Sequence, residues 1–227
     1  MVAALAKVRS SKTTSREEIL DAAERLFAKF GFDGASMREI AQEAGVAQAL
    51  LHYHFKTKEG LFEAMFAHRS GAINRLRLAR LDAMLARGRP DVEEVIDALL
   101  RPTVEAGHDP ARGGTFASLI LTTGASNLDW QKGLIATSYD AMAKRYIAAL
   151  QLALPGLSLA KATWGYLFVI GSALTQMSPT GRADRLSEGA TTDSDSEILL
   201  SHVVTFAAAG MRALAAAGEP AGDAAAD

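Results

Sequence analysis

Residues 36–61 read SMREIAQEAGVAQALLHYHFKTKEGL, two short helices joined by a tight turn. Ser36 followed by Glu39 has the spacing of a capping box, in which the hydroxyl accepts from the backbone three residues on and the carboxylate reaches back. Ile40, Ala41 and Ala44 recur at helical spacing, and Gly45 supplies a residue that enters the left-handed region without steric cost. Val46 plugs the turn. A second helix is predicted over Gln48–Phe55, with Leu51 and Phe55 four apart on its buried face. Two helices of about eight residues around a glycine turn form a helix-turn-helix, whose second helix has the dimensions of a DNA major groove.

The flanks extend this unit. Ile19, Ala22, Ala23, Leu26, Phe27 and Phe30 make an apolar stripe, so a helix is predicted from Ser15, capped by Ser15 and Glu18, to Phe30, with Gly31 closing it. Residues 1–14 are basic without apolar periodicity and read as a flexible arm. Thr57 is the expected N-cap of a long helix from Lys58 to about Ala86, with a possible bend at Gly71. No linker separates Phe55 from Leu61, so a stiff rod joins the two parts of the chain.

Beyond it, helices are predicted over about 92–106, 114–125, 128–154, 159–177 and 197–217. Residues 178–196, SPTGRADRLSEGATTDSDS, are polar and turn-rich and read as a mobile loop. The tail from 218 reads as disordered. The expectation is an all-α protein of about nine helices: an arm (1–14), a helix-turn-helix domain (15–57), a helical ligand-binding and dimerisation domain (58–217) and a tail (218–227).

Composition narrows the function classes. The 227 residues contain no cysteine, which removes disulfides, thiol catalysis and thiolate metal sites. No signal peptide or bilayer-length apolar run is evident, so a cytoplasmic protein without membrane association is expected. The net charge of −2 is unevenly spread: residues 1–80 hold 13 Lys/Arg against 9 Asp/Glu, and residues 81–227 hold 11 against 17. A positive end and a negative body suit DNA contact at one end only. His52 and His54 lie about 200° apart on one helix, a poor pair for a metal. No nucleophile elbow, phosphate loop or HExxH is present, so neither an enzyme nor a cofactor is expected.

The segments Ile19–Ser36, Ile40–Val46, Tyr53-His54-Phe55 and Lys58-Glu59 together resemble the TetR family of bacterial transcriptional regulators. One departure is His52, where many members carry Tyr. The run from HYHF through TKEGLFEAMFAHRSGAINRLRLARLDAML is similar to a branch whose regulators respond to long-chain fatty acids or their thioesters. The resemblance implies a DNA-bound repressor released from a palindromic operator by a small effector. It places Gln48 and Ala49 at base edges, where Gln suits an adenine and an Ala methyl suits a thymine methyl. Tyr53 and His54 would meet phosphates or nearby bases, although Tyr53 could instead pack on the first helix. Ser36, Thr57 and Lys58 stand at helix N-termini that favour phosphate, and Ser36 and Thr57 are equally readable as plain caps.

A small, nearly neutral reading domain binds weakly alone, so a homodimer on two half-sites is expected. Trp164, Phe168, Gly171 and Leu174, with Leu199, Val203, Phe206 and Gly210, are candidates for a four-helix interface between two copies. Phe66, Leu100, Thr103, Phe116, Ile120, Thr123, Tyr139, Met142 and Tyr166 are candidates to line an apolar effector pocket, or a plain core. With no basic residue evident among them, a small anionic ligand is disfavoured. The competing readings are a regulator answering to a protein partner or to no effector and, further off, an enzyme.

Overall fold

The computed structural model describes residues 2–108, 115–176 and 180–218, with side chains from Arg16 onward. The described residues form ten helices and no strand: α1 Val2–Gly34, α2 Met37–Glu43, α3 Gln48–Phe55, α4 Lys58–Leu85, α5 Val92–Gly107, α6 Thr115–Gly124, α7 Asp129–Ala153, α8 Leu159–Leu174, α9 Arg182–Ser187 and α10 Ser196–Ala216. The protein is all-α, as expected, with one helix more than predicted.

Local signals set most boundaries. Glu39 N–H donates to Ser36 Oγ (3.2 Å) and Ser36 N–H donates to Glu39 Oε2 (3.1 Å), completing the capping box of α2. Gly31 and Gly45 take φ of 73° and 65°, ending α1's long run and the α2 turn. Thr57 Oγ1 accepts from Gly60 N–H (3.0 Å) at the start of α4, which continues without interruption through Gly71. Glu94 accepts from Asp91 N–H (3.3 Å) at the start of α5.

Two expectations are corrected. The first is the flexible arm and its boundary at Ser15: the backbone is helical from Val2. Nothing between Val2 and Phe30 is Gly or Pro, so α1 continues through Ser15 rather than starting there. The second is the mobile loop. Residues 180–195 contain α9 and close on Asp193, which is buried despite its charge. Its carboxylate accepts from the backbone N–H groups of Thr180 (3.2 Å), Gly181 (3.1 Å) and Arg182 (3.0 Å), and these bonds hold its pKa below the ordinary carboxylate value against the opposing effect of desolvation. Residues 177–179, and the tail beyond Gly218, lie outside the described residues.

Two cores meet on α4. One gathers Ile19, Leu20, Phe27, Ile40, Leu51 and Phe55 from α1–α3 with Leu61, Phe62, Met65 and Phe66 of α4 and Phe116 and Leu119 of α6. The other joins the rest of α4 to α5, α7, α8 and α10 around Tyr146. Each large apolar side chain buried this way contributes about 1.5–3 kcal/mol. An aromatic chain crosses the boundary: Phe27 to Phe62 (5.0 Å between centroids), Phe62 to Trp130 (5.6 Å), Phe66 to Phe116 (5.3 Å) and Phe66 to Tyr139 (6.1 Å). The helix-turn-helix therefore sits on the body through shared packing as well as through the α3–α4 connection.

Candidate nucleic-acid interface and effector chamber

Leu51 and Phe55 turn α3 inward, which leaves Gln48, Ala49, His52 and Tyr53 on its solvent side. Tyr53 is 70% exposed and does not pack on α1; Lys56 Nζ lies over its ring at 5.6 Å. His54 is half-buried between Tyr53 and Phe55. Ser36 and Thr57 each act as a cap, with Thr57 also solvent-exposed. Lys58 points elsewhere than expected: its Nζ donates to the carbonyls of Asp33 (3.4 Å) and Ala35 (3.2 Å) and lies 4.5 Å from the Phe32 ring centroid. It ties α4 to the end of α1.

His52 carries a role the sequence reading did not give it. Its Nδ1 is 3.2 Å from the carbonyl of Lys56, a non-glycine residue at φ 65°, and its Nε2 is 3.4 Å from Gln48 Nε2. A neutral ring that donates from Nδ1 must accept at Nε2, so the Gln48 amide turns its NH₂ toward His52. The spacing of four residues was visible in sequence; the tautomer follows only from the Lys56 carbonyl.

The proposed pocket residues separate in space. Thr103 and Phe116 line a cavity of about 220 Å³ with Glu24, Arg69, Ile73, Leu76 and Pro102, between α1, α4, α5 and α6. Thr123 lines a different cleft, against Phe27 and Phe32 of α1. Phe66, Leu100, Met142 and Tyr166 are buried in the cores and, with Ile120 and Tyr139, line neither. The cavity wall is partly ionic: Arg69 pairs with Glu24 and Asp21, and Thr115 Oγ1 donates to Glu24 Oε1 (2.7 Å).

The expectation that no basic residue stands inside the pocket is overturned by Arg69, which lines the cavity, and Arg77 lies buried on the same helix. Arg77 is 3% exposed on α4; its Nε donates to the Leu99 carbonyl (2.8 Å) and its Nη2 to Thr103 Oγ1 (2.7 Å). Burial lowers its pKa from the ordinary arginine value. Apolar periodicity placed α4 correctly but carries no information about which charged position faces inward.

The α8–α10 face divides. Trp164, Phe168, Gly171, Phe206 and Gly210 are exposed, with the Trp164 and Phe168 rings stacked at 5.8 Å. A groove between the two helices is lined by Phe168, Val169, Phe206, Gly210 and Met211. Val203 is buried and turns inward, and Leu174 and Leu199 are partly buried against the same core. Gly165 allows the α8–α10 approach within the chain: a Cβ there would stand 2.3 Å from Met211 Sδ. Among the described residues α10 alone is long and apolar enough to cross a membrane; its apolarity is divided between the core it packs on and this open face. The described residues contain no cluster of three or more His, Cys, Asp or Glu able to hold a metal.

Comparison with known proteins agrees with this layout. Residues 19–65 match the family model for bacterial regulatory proteins of the tetR family, and residues 97–210 match the tetracyclin repressor-like C-terminal domain. The chain is 42% identical over 53 residues to the HTH-type transcriptional repressor AcnR of Corynebacterium glutamicum, covering 23% of this chain and 28% of that protein. It is 36% identical over 72 residues to the HTH-type transcriptional regulator AcrR of Shigella flexneri, covering 32% and 34%. The matches thus span about a third or less of these relatives. In fold, the chain is similar to the fatty acid degradation regulator FadR from Bacillus halodurans (TM-score 0.65, 16% identity, 87% of this chain and 96% of that one). It is also similar to FadR from Bacillus subtilis in complex with stearoyl-CoA (TM-score 0.61, 16% identity, 83% and 97%). With both halves matched and the C-terminal match alone covering half its length, the chain belongs to the tetR family of bacterial regulatory proteins.

Proposed function

We propose that this protein is a DNA-binding transcriptional repressor that works in the cytoplasm as a homodimer on a palindromic operator and is released by a small, largely apolar effector. The observation that carries the reading is the rigid path from the exposed face of α3 to the cavity. Lys58 ties the start of α4 to the end of α1, and three turns later Arg69 on the cavity wall is paired with Glu24 and Asp21 of α1. A molecule in the cavity touches the groups that hold the reading head in place. Two heads must stand about 34–36 Å apart, or a multiple of that, to meet successive half-sites, so a small rotation of α1 against α4 is enough to spoil binding. Reversing a two-state population from 99:1 takes about 5.5 kcal/mol of differential affinity.

Gln48, held by His52, and Ala49 are the proposed base-edge contacts, with Tyr53, His54 and Thr57 at phosphates or nearby. Ser36 and Lys58 contribute through α2 and α4 positioning. The FadR neighbours support an acyl ligand, but a cavity of about 220 Å³ is only moderately larger than the ~150 Å³ that holds a benzene ring. A short or compact effector fits it better than a long acyl chain.

The test is fluorescence anisotropy of the purified protein with its own upstream DNA and with scrambled DNA over a range of salt. Sequence preference with a steep salt dependence is expected. Gln48→Ala should flatten the preference at one base pair by about 1–3 kcal/mol. Tyr53→Ala should weaken all sequences together. Equal affinity for both DNAs at every salt concentration sinks the reading.

A further inference from the structure

Arg77 is a buried cation without an anion. Its three hydrogen-bond acceptors are the Leu99 carbonyl, Thr103 Oγ1 and Asn74 Oδ1, all neutral. No carboxylate among the described residues pairs with it, whereas Arg69, two turns earlier on the same helix, has two. An unneutralised buried charge is costly to the fold, and two of the five guanidinium N–H groups remain for another acceptor.

The surrounding hydroxyls do not supply the missing charge. Tyr139, Tyr146 and Tyr166 stand close enough to interact with Arg77, and burial raises the pKa of all three, so they stay neutral. Tyr146 is already committed. Pro102 has no N–H to give the Ala98 carbonyl, and Tyr146 Oη lies 3.0 Å from that carbonyl and 2.8 Å from the Arg77 carbonyl. Tyr139 is different: its hydroxyl oxygen is buried without a hydrogen-bond partner, the one such side-chain atom found among the described residues. A spare guanidinium edge and a spare hydroxyl in one neighbourhood make a receptor for an oxyanion.

We infer that the body binds a small organic carboxylate, with its head between Arg77 and Tyr139 and its apolar remainder in the cavity lined by Ile73, Pro102, Thr103 and Phe116. Thr103 connects the two parts, since it lines the cavity and holds Arg77 Nη2. An entering carboxylate takes over that N–H. The planar guanidinium fork matches a carboxylate in a bidentate manner, and the apolar part of the wall, Ile73, Pro102 and Phe116, favours an acid carrying a hydrocarbon body over a hydrated inorganic anion. A thioester lacks charge at its acyl carbon, so a free acid fits this arrangement and an acyl thioester does not. The inference names the effector class of the site proposed above and rests on that reading.

The test titrates the intact protein, free of DNA, with sodium octanoate and benzoate and with the neutral octanamide and benzamide, by isothermal titration calorimetry. The acids should bind roughly tenfold or more tightly than the amides, as expected for a hydrogen bond to a charged group. Arg77→Met should remove that preference while melting at or above the parent temperature, because an unpaired charge gives way to an apolar chain of similar volume. Tyr139→Phe keeps the packing and should weaken octanoate roughly fivefold and octanamide less, because the hydroxyl donates more strongly to a carboxylate than to a neutral carbonyl; this tests the site independently of Arg77. Equal affinity of acid and amide, failure of both to bind, or an acid preference that survives in Arg77→Met each overturns the inference. Operator release is read separately. Acid binding without release leaves the anion site standing and removes the effector reading; release by amides with no acid preference does the reverse.

Discussion

Arg69 of α4 and Glu24 of α1 form a buried ion pair on the wall of the cavity between α1, α4, α5 and α6, 8% and 3% exposed respectively. Asp21 takes the other side of the guanidinium, and Thr115 brings α6 to the same carboxylate. The contact that fixes the helix-turn-helix to the body is therefore also a contact an effector would meet.

Removing one member leaves the other charged and buried. Arg69→Met should cost about 3–5 kcal/mol of stability, and Glu24→Leu combined with it should restore much of the loss. Urea melts of both variants check this. An equally large loss in the double variant would show that packing, rather than uncompensated charge, carries the effect.

His68, beside this pair, gives a pH dependence. Partial burial lowers its pKa below 6.5, the neighbouring Arg69 and Arg16 lower it further, and Glu17 and Asp21 oppose the shift. The unfolded chain then binds the proton more readily than the folded one. The stability contribution is complete above about pH 6.5 and is lost as pH falls through the lower folded value. His68→Gln should flatten the pH dependence of the melting temperature in that window, and an unchanged profile would assign it to other groups.

What could be read in sequence was what is set locally. Ser36–Glu39, Gly45 and Thr57 determine their helix ends by contacts within four residues, and α3 runs over Gln48–Phe55 as its spacing required. Signals that depend on distant partners were lost. Asp193 organises residues 180–195 through bonds spanning 11–13 positions, so composition alone suggested mobility. Ser15 and Glu18 have the letters of a capping box, but a cap requires a chain that turns away, and nothing before Ser15 breaks the helix. Of nine pocket candidates, Thr103 and Phe116 line the cavity between α1, α4, α5 and α6, because an apolar helical face looks the same against a void as against another side chain.

Gly60 tests the stiffness of the α3–α4 connection. A Cβ at this position would stand 2.4 Å from the Phe55 carbonyl oxygen, a backbone atom that cannot rotate aside. Gly60→Ala should destabilise the protein by about 1–3 kcal/mol and reduce operator affinity more than Gly71→Ala, which meets only the end of the Arg75 side chain. Parallel melts and anisotropy titrations decide it; equal behaviour of the two variants would mean that the junction yields.

The open face of α8 and α10 bears on assembly. Phe206 is 72% exposed and lines, with Phe168, a groove in which Ser172 is the one polar side chain, and the exposed Trp164 ring stacks on Phe168. Contiguous apolar surface of this kind marks an association site. If two copies pair there across a two-fold axis, Phe206→Glu brings two like charges into a dry interface. The variant should sediment as a monomer and lose most of its operator affinity, since one reading head engages one half-site. Its fold should survive, because Phe206 contributes little to either core. Val203→Ala is the control: it lies one turn away but inside the body, and should lower the melting temperature while leaving the dimer intact. A Phe206→Glu protein that still sediments as a dimer would move the interface to another surface.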